Sequence, residues 1–365
     1  MNRRHTTIGA FIFSALCLVV AGCSGSSGAP TQPINPAPTL GPTTAPSTQN
    51  LYVTANLAGG GAGARHIRSS AVRPFGQATT AELLQFAPPL SGASTPSATQ
   101  PLSPFAIGVA ADASYVVAGS DITDGSSIAI FNQPFATQSG PAATITNNSG
   151  PLNLAAFDAS GNFWVTEGSN INEYTPPRTS SSTPAHSISV GGAQAVAVAF
   201  DGSNNLYATV LTDGASLLNV YPPSATQPSV SVQVDVADIA GVAVSGNTVA
   251  VAVFGIEGGV AAKHHGLVAM RRTRAGAHPR ASQNAGEILL YTLPLSNSST
   301  PSATIPFAQS PIGLAFDAAG NLYAAEGFIG GGVAVFNAPL SSSSTPAFTI
   351  PVNSNAEPVG VAFGP

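Results

Sequence analysis

One motif recurs along the chain, and its last copy is completed by the residues that begin the repetitive region. The fullest copy runs Pro311-Ile312-Gly313-Leu314-Ala315-Phe316-Asp317, then Gly320-Asn321-Leu322-Tyr323-Ala324-Ala325-Glu326. It continues through Val333-Ala334-Val335-Phe336 and ends in Ser344-Thr345-Pro346-Ala347-Phe348-Thr349-Ile350. The frame returns at Leu152 (Phe157-Asp158, Gly161-Asn162-Phe163-Trp164) and at Ala195 (Phe200-Asp201, Asn205-Leu206-Tyr207), with weaker copies from Ala106 and Ile239. The final copy stops after Pro358-Val359-Gly360-Val361-Ala362-Phe363. The part it lacks, Asn50-Leu51-Tyr52-Val53, stands at the other end of the region. Two incomplete ends that make one unit specify a closed ring.

Each copy reads as four short strands. The first is small and apolar throughout, as a strand buried on both faces should be. An Asp-x-x-Gly-Asn turn follows, and Gly and Asn tolerate the left-handed backbone of a tight hairpin. The second strand carries Leu-Tyr or Phe-Trp, and the third ends in an aromatic: Phe131, Tyr174, Tyr221, Tyr291 or Phe336. The fourth is expected to open on Pro96, Pro141, Pro184, Pro228, Pro301 and Pro346, because proline cannot donate to a ladder and belongs at a strand start or an edge. Asp112, Asp158 and Asp201 lie 46 and 43 residues apart, a four-strand period that is the signature of propeller blades. Five whole units and one split unit predict an all-β, six-bladed β-propeller over residues 50–365, with the N- and C-terminal strands closing one blade. A seven-bladed ring or an open solenoid are the competing architectures.

The residues before Asn50 read as an export signal and a tether. Asn2-Arg3-Arg4-His5 is a short basic start, and the apolar run from Ile8 to Val20 is too short to span a membrane. Residues 1–22 are therefore expected to be a signal peptide. They lead into Val20-Ala21-Gly22-Cys23, which resembles a bacterial lipobox. The resemblance implies cleavage before Cys23 and acylation there, palmitate included, which anchors the protein to a membrane stably. The alternative is an ordinary signal peptide with an incidental cysteine. Cys17 lies in the removed part, so the mature chain keeps no thiol for a disulfide or a metal. Residues 23–49 are rich in Ser, Gly, Pro, Thr and Ala and carry no charged side chain, the composition of a flexible linker. Ser24 stands where enteric lipoproteins retained at the inner membrane show Asp. The expected address is thus extracytoplasmic, at the outer membrane of a host that has one.

Charge is segregated. Eight of the nine basic residues beyond Arg4 fall in two insertions, 57–81 with Arg65, Arg68 and Arg73, and 258–286 with Lys263, Arg271, Arg272, Arg274 and Arg280. Neither stretch holds an Asp or Glu. Arg178 alone stands against all sixteen acids elsewhere, so the rest of the mature chain is near −15 although the whole chain is −5. Both insertions fall between the second and third strands of their repeats, hence on one face of a ring, in blades separated by one other. Such a field draws anions. Arg65, Arg68, Arg271, Arg272 and Arg274 are the candidate ligand-binding residues. Their candidate ligands are phosphorylated or sulfated glycans, lipopolysaccharide phosphates, anionic lipid headgroups and extracellular nucleic acid, the last without specific recognition; a protein partner is the remaining class. The bland alternative is that the insertions are merely tolerated, since loop length costs little.

Glu167 and Glu326 hold equivalent positions in opposite blades, with Ala55, Val210, Ala252 and Gly119 read as their counterparts. Two carboxylates across a ring mouth could hold a divalent cation, calcium or magnesium; they could equally bond amides of their own loops. Asp158, Asp201 and Asp317 are explained as turn formers.

The frame from Pro311 to Tyr323 resembles NHL-type propeller repeats, and Gly161-Asn162-Phe163-Trp164-Val165-Thr166-Glu167 resembles a repeat of the streptogramin lyases. Gluconolactonase-like propellers share the general architecture. Those resemblances imply a binding platform, or an enzyme that is a metal-dependent lyase or lactonase. The lyases would imply a magnesium site with a histidine base, and here His186 falls in an outer strand. The lactonases would imply Glu, Asn and Asp around a metal after Glu-Gly-Pro, whereas this chain has Glu357-Pro358 without the glycine, and Asn153. The expectation is a non-catalytic binding module with no assigned catalytic residue.

Overall fold

The structure is a computed structural model that describes residues 49–57, 80–102, 105–122, 125–137, 140–147, 152–212, 215–234, 239–253 and 286–365. Every regular element among them is a β-strand, and the strands form six four-stranded antiparallel sheets. In order from the axis outward, blade 1 is β24 (Ala356–Gly364), β1 (Asn50–Leu57), β2 (Thr80–Phe86) and β3 (Ala98–Leu102). Blade 2 is β4 (Ala106–Ala111), β5 (Tyr115–Ile122), β6 (Gly125–Asn132) and β7 (Ala143–Asn147). Blade 3 is β8 (Leu152–Phe157), β9 (Phe163–Glu167), β10 (Asn170–Tyr174) and β11 (His186–Ser189). Blade 4 is β12 (Gln194–Phe200), β13 (Leu206–Leu211), β14 (Ser216–Tyr221) and β15 (Val230–Val234). Blade 5 is β16 (Ile239–Ser245), β17 (Thr248–Val253), β18 (Gly286–Thr292) and β19 (Ala303–Phe307). Blade 6 is β20 (Pro311–Phe316), β21 (Leu322–Glu326), β22 (Gly332–Phe336) and β23 (Phe348–Pro351).

The inner strands touch in the order β24, β4, β8, β12, β16, β20 and back to β24, so the ring is closed and six-fold. β24 pairs with β1 from Asn50–Gly364 to Leu57–Ala356, which joins the two ends of the chain in one blade. The expected prolines lie just outside the ladders: each fourth strand begins two residues after its proline.

The third-strand aromatics form a buried layer, to which the structure adds Phe86 as the sixth member. Every blade also carries a register shift at the same place, where the inner strand meets the second. These β-bulges re-aim the backbone of the inner strand. Beside them stand Gly108, Gly241, Gly313 and Gly360, and the seams are tight there. A Cβ added to Gly313 would lie 2.5 Å from the Val359 carbonyl of the next blade. In blades 1, 3 and 4 a second-strand threonine also bonds the next blade's bulge. Thr54 Oγ1 donates to Ile107 O at 3.2 Å, Thr166 to Val196 O at 3.1 Å and Thr209 to Ala240 O at 2.7 Å.

The outer rim is latched too. Outer-strand amides of Thr99, Thr144, Ser231 and Thr304 donate to Thr137, Ser180, Asn297 and Ser342 in the turn of the following blade. The Ser/Thr-rich turns that look like low-complexity sequence thus cap edges that would otherwise invite foreign strands.

Candidate functional site

The two insertions leave the ring between β1 and β2 and between β17 and β18. Both are second-to-third-strand connections, so their flanking strands open on one face, in blades 1 and 5 with blade 6 between them. Arg65, Arg68, Arg271, Arg272 and Arg274 lie outside the described residues, as do Cys23, the signal peptide and the linker.

Glu167 ends β9 and is fully buried. Its carboxylate accepts from Asn172 Nδ2 at 2.6 Å and from the Tyr174 hydroxyl at 2.9 Å, both on β10 of its own blade. Burial first, and then the charge and hydrogen bond of Glu167, push the Tyr174 hydroxyl far above the usual phenol range, so it remains a donor. Glu326 ends β21, and its Oε2 accepts the Gly332 amide at 2.9 Å, closing the turn into β22. Each carboxylate therefore serves its own blade, and no group of three or more His, Cys, Asp or Glu among the described residues is placed to hold a metal. The ladders correct two counterparts by one residue. Ser120 and Val253, not Gly119 and Ala252, share the position of Glu167 and Glu326, because they pair with the first residues of β4 and β16.

Asn153 is buried and its Nδ2 donates to Ala195 O of blade 4 at 3.1 Å, while its Oδ1 has no protein partner. Glu357 is buried at the start of β24. His186, on the outermost strand of blade 3, meets the Trp164 ring edge-on at 5.8 Å and stands 4.0 Å from Glu173.

On the opposite face the hairpin aspartates do more than form turns. Asp158 Oδ1 accepts the amides of Ser160 and Asn162, and its Oδ2 accepts Asn162 Nδ2 and Trp164 Nε1. Asp201 and Asp317 repeat the pattern with the hydroxyls of Tyr207 and Tyr323. Gly161 and Gly320 take positive φ in these turns, and Asn204 does so in the third. The Asp-to-aromatic spacing of six residues was visible in the repeat. So were the hydroxyls of Tyr174 and Tyr221 on a buried strand, which call for a partner. Arg178 carried no such signal. It is buried between blades 2 and 3, its guanidinium 5.5 Å from the Tyr115 ring and 5.2 Å from that of Phe157. It donates to Tyr174 O at 3.1 Å and to Gly161 O.

The axis holds a cavity of about 210 Å³. Residues from the bulges to the hairpin ends of all six inner strands line it, from Val109–Ala111 in blade 2 round to Val361–Phe363 in blade 1. Its side chains are Ala, Val, Leu and Phe, with one glycine. It lies on the hairpin side of the bulges, away from the strand ends that bear Glu167, Glu326 and the insertions.

No family model matches the chain, and no curated protein matches it. Among solved structures it is similar to a protein of unknown function from Bacteroides caccae, at 12% identity and a TM-score of 0.51, over 87% of this chain and 99% of that one. A gluconolactonase from Xanthomonas campestris is 13% identical over 77% of this chain and 82% of its own, with a TM-score of 0.45. The WD40 domain of Toxoplasma gondii coronin is 12% identical over 67% and 70%, with a TM-score of 0.43. At such identities a likeness carries architecture alone. The sheet order and the closed circuit of inner strands establish the chain as a six-bladed β-propeller.

Proposed function

We propose that this ring is a lipid-anchored, extracytoplasmic binding module whose insertion face takes an anionic partner of the cell envelope. The observation that carries the reading is the place of the two insertions. The strands flanking 58–79 and 254–285 open on one face, in blades separated by one other, and those stretches hold all but one of the basic residues beyond Arg4. The remainder of the ring is acidic, so an anion is steered to that face and repelled elsewhere. Cys23 would tether the ring to a membrane through its acyl chains, and residues 24–49 would give it reach. A lyase or lactonase working through Glu167 and Glu326 would first have to break the bonds that hold both carboxylates, which is why binding is the preferred reading.

The test compares the chain from residue 46 with and without residues 258–286 on heparin and on lipopolysaccharide across a salt gradient. Retention that falls with salt and with deletion of the insertion is expected. Equal retention by the deleted ring would overturn the reading. Separately, Cys23→Ser should abolish incorporation of labelled palmitate.

A further inference from the structure

We propose that the connection between β21 and β22 is a membrane-docking tip that sets Ile329 into the headgroup region of an anionic bilayer. The proposal deepens the reading above and rests on it: the anionic partner becomes a phospholipid surface.

The tip is short and braced. Gly327-Phe328-Ile329-Gly330-Gly331 join the two strands, and Ile329 at their centre is 59% exposed. No other large hydrophobic side chain among the described residues is exposed. Single apolar side chains on a surface are common, but here the backbone holds this one out. Phe328 N donates to Glu326 O at 2.7 Å and Gly331 N to Phe328 O at 2.9 Å. Gly330, at a φ of +83°, donates to Ala356 O of blade 1 at 2.8 Å. Gly332 N closes the loop on the Glu326 carboxylate. The loop is thus tied to two blades, and Ile329 cannot fold back without breaking those bonds.

Position decides what the tip meets. It is the second-to-third-strand connection of blade 6, and the same connections in blades 5 and 1, on either side, are the two basic insertions. The links that flank it, Ala308-Gln309-Ser310 and Val352-Asn353-Ser354-Asn355, carry no charge. The face is lopsided. On this side of the ring the strand ends and connections of blades 2, 3 and 4 carry Asp121, Asp124, Glu167, Asp213, Asp235 and Asp238 and no base. Those of blades 5, 6 and 1 carry eight Lys or Arg against five Glu. An apolar tip between two cationic stretches matches a surface with phosphate outside and hydrocarbon beneath. A sulfated or phosphorylated glycan would satisfy the bases and leave Ile329 in water; a bilayer uses both.

The chain before the ring is long enough for this pose. It enters at Asn50, on the hairpin end of β1 opposite Gly364. It must therefore pass a ring about as thick as the eight residues of β1, about 27 Å. The 26 residues from Ser24 to Gln49 span at most about 85 Å. The insertion face can lie on the same membrane that would hold Cys23.

The experiment uses residues 24–365, which contain no cysteine, with vesicles of phosphatidylcholine and phosphatidylglycerol in equal parts and vesicles of phosphatidylcholine alone. An environment-sensitive fluorophore is placed on Ile329→Cys or on Thr183→Cys, the latter exposed in the β10–β11 turn of the hairpin face. A blue shift is expected at 329 with the anionic vesicles only, and none at 183. In cosedimentation the unlabelled Ile329→Ser chain should partition about fivefold to tenfold more weakly than the parent, with an unchanged Tm. Equal partitioning of Ile329→Ser, equal shifts at both labels, or equal binding to phosphatidylcholine alone would overturn the proposal. Insertion-dependent retention on heparin without binding to the anionic vesicles would overturn it too, and leave the anion-binding reading standing. Loss of both would end both.

Discussion

The two halves of the ring axis are built from the same six strands and come out opposite. At the bulges the inner strands meet, and small residues permit it: Gly108, Gly241, Gly313 and Gly360 each have a neighbouring blade's backbone or a threonine hydroxyl where a Cβ would go. Toward the hairpins the strands part and leave the cavity. There Phe157, Phe200 and Phe316 end their strands and Phe363 stands one residue before the end of its own, and the rings sit between blades. Trp164 of blade 3 lies 5.7 Å from Phe200 of blade 4, and Tyr323 of blade 6 lies 4.7 Å from Phe363 of blade 1. Small residues at one level and large ones at the other taper the axis. The contrast teaches that the channel's shape is set by what fills the seams, since few side chains point down the axis of such a ring.

Replacing a bulge glycine should be the most damaging test of this account. In Gly313→Ala the new methyl meets Val359 O at 2.5 Å and Gly360 Cα at 3.0 Å, both backbone atoms of the neighbouring blade that cannot swing aside. The expected loss is about 3 kcal/mol, the upper end of ordinary overpacking, seen as a lower denaturation midpoint. Gly192→Ala is the paired control. Nothing lies within 4 Å of its added Cβ, and the change should be neutral or stabilise by a few tenths of a kcal/mol. Equal effects at the two sites would break the idea that close approach at the bulges closes the ring.

A large-to-small change in the other half should cost less. Phe200 is half-buried, so Phe200→Ala is expected to lose about 2 kcal/mol, below the range for a fully buried phenylalanine. Trp164 fluorescence should report it directly, because the indole loses its neighbouring ring. A shift in Trp164 emission without a stability loss would mean that the seam is held elsewhere, at Thr166 for example.

The ring itself was legible because blades repeat. Pro311 to Glu326 shows every register position, and the split copy announces its own closure. The bulges were not legible, since a glycine in a small apolar strand looks the same whether it bulges or pairs; the neighbouring backbone that makes Gly313 necessary lies 46 residues away at Val359. Glu167 was found as a position, but its partners were not. Its partners Asn172 and Tyr174 stand on the next strand, where a pattern read one strand at a time does not look. The serine turns could not be read for the same reason. Ser342 has meaning only against Thr304 of the blade before it.

The smallest expected effect, and the finest probe of the hairpin half, is the pH response of a single turn. Burial opposes ionisation of Asp201, but hydrogen bonds from the Asn205 side chain and amide, the Ser203 amide and the Tyr207 hydroxyl outweigh it and hold the carboxyl below its ordinary value. A depressed carboxyl stabilises the fold above its unfolded value of 3.8 and loses that contribution as pH falls through the lower folded value. Tyr207 takes no part in the titration. Burial, and then the charge of Asp201, raise its hydroxyl far above the phenol range. In Asp201→Asn the turn keeps an acceptor of the same shape but lacks the charge. The stability difference between the parent and this variant should hold steady from neutrality down to about pH 4 and shrink below it. A gap that stayed constant through that window would mean that shape alone holds the turn.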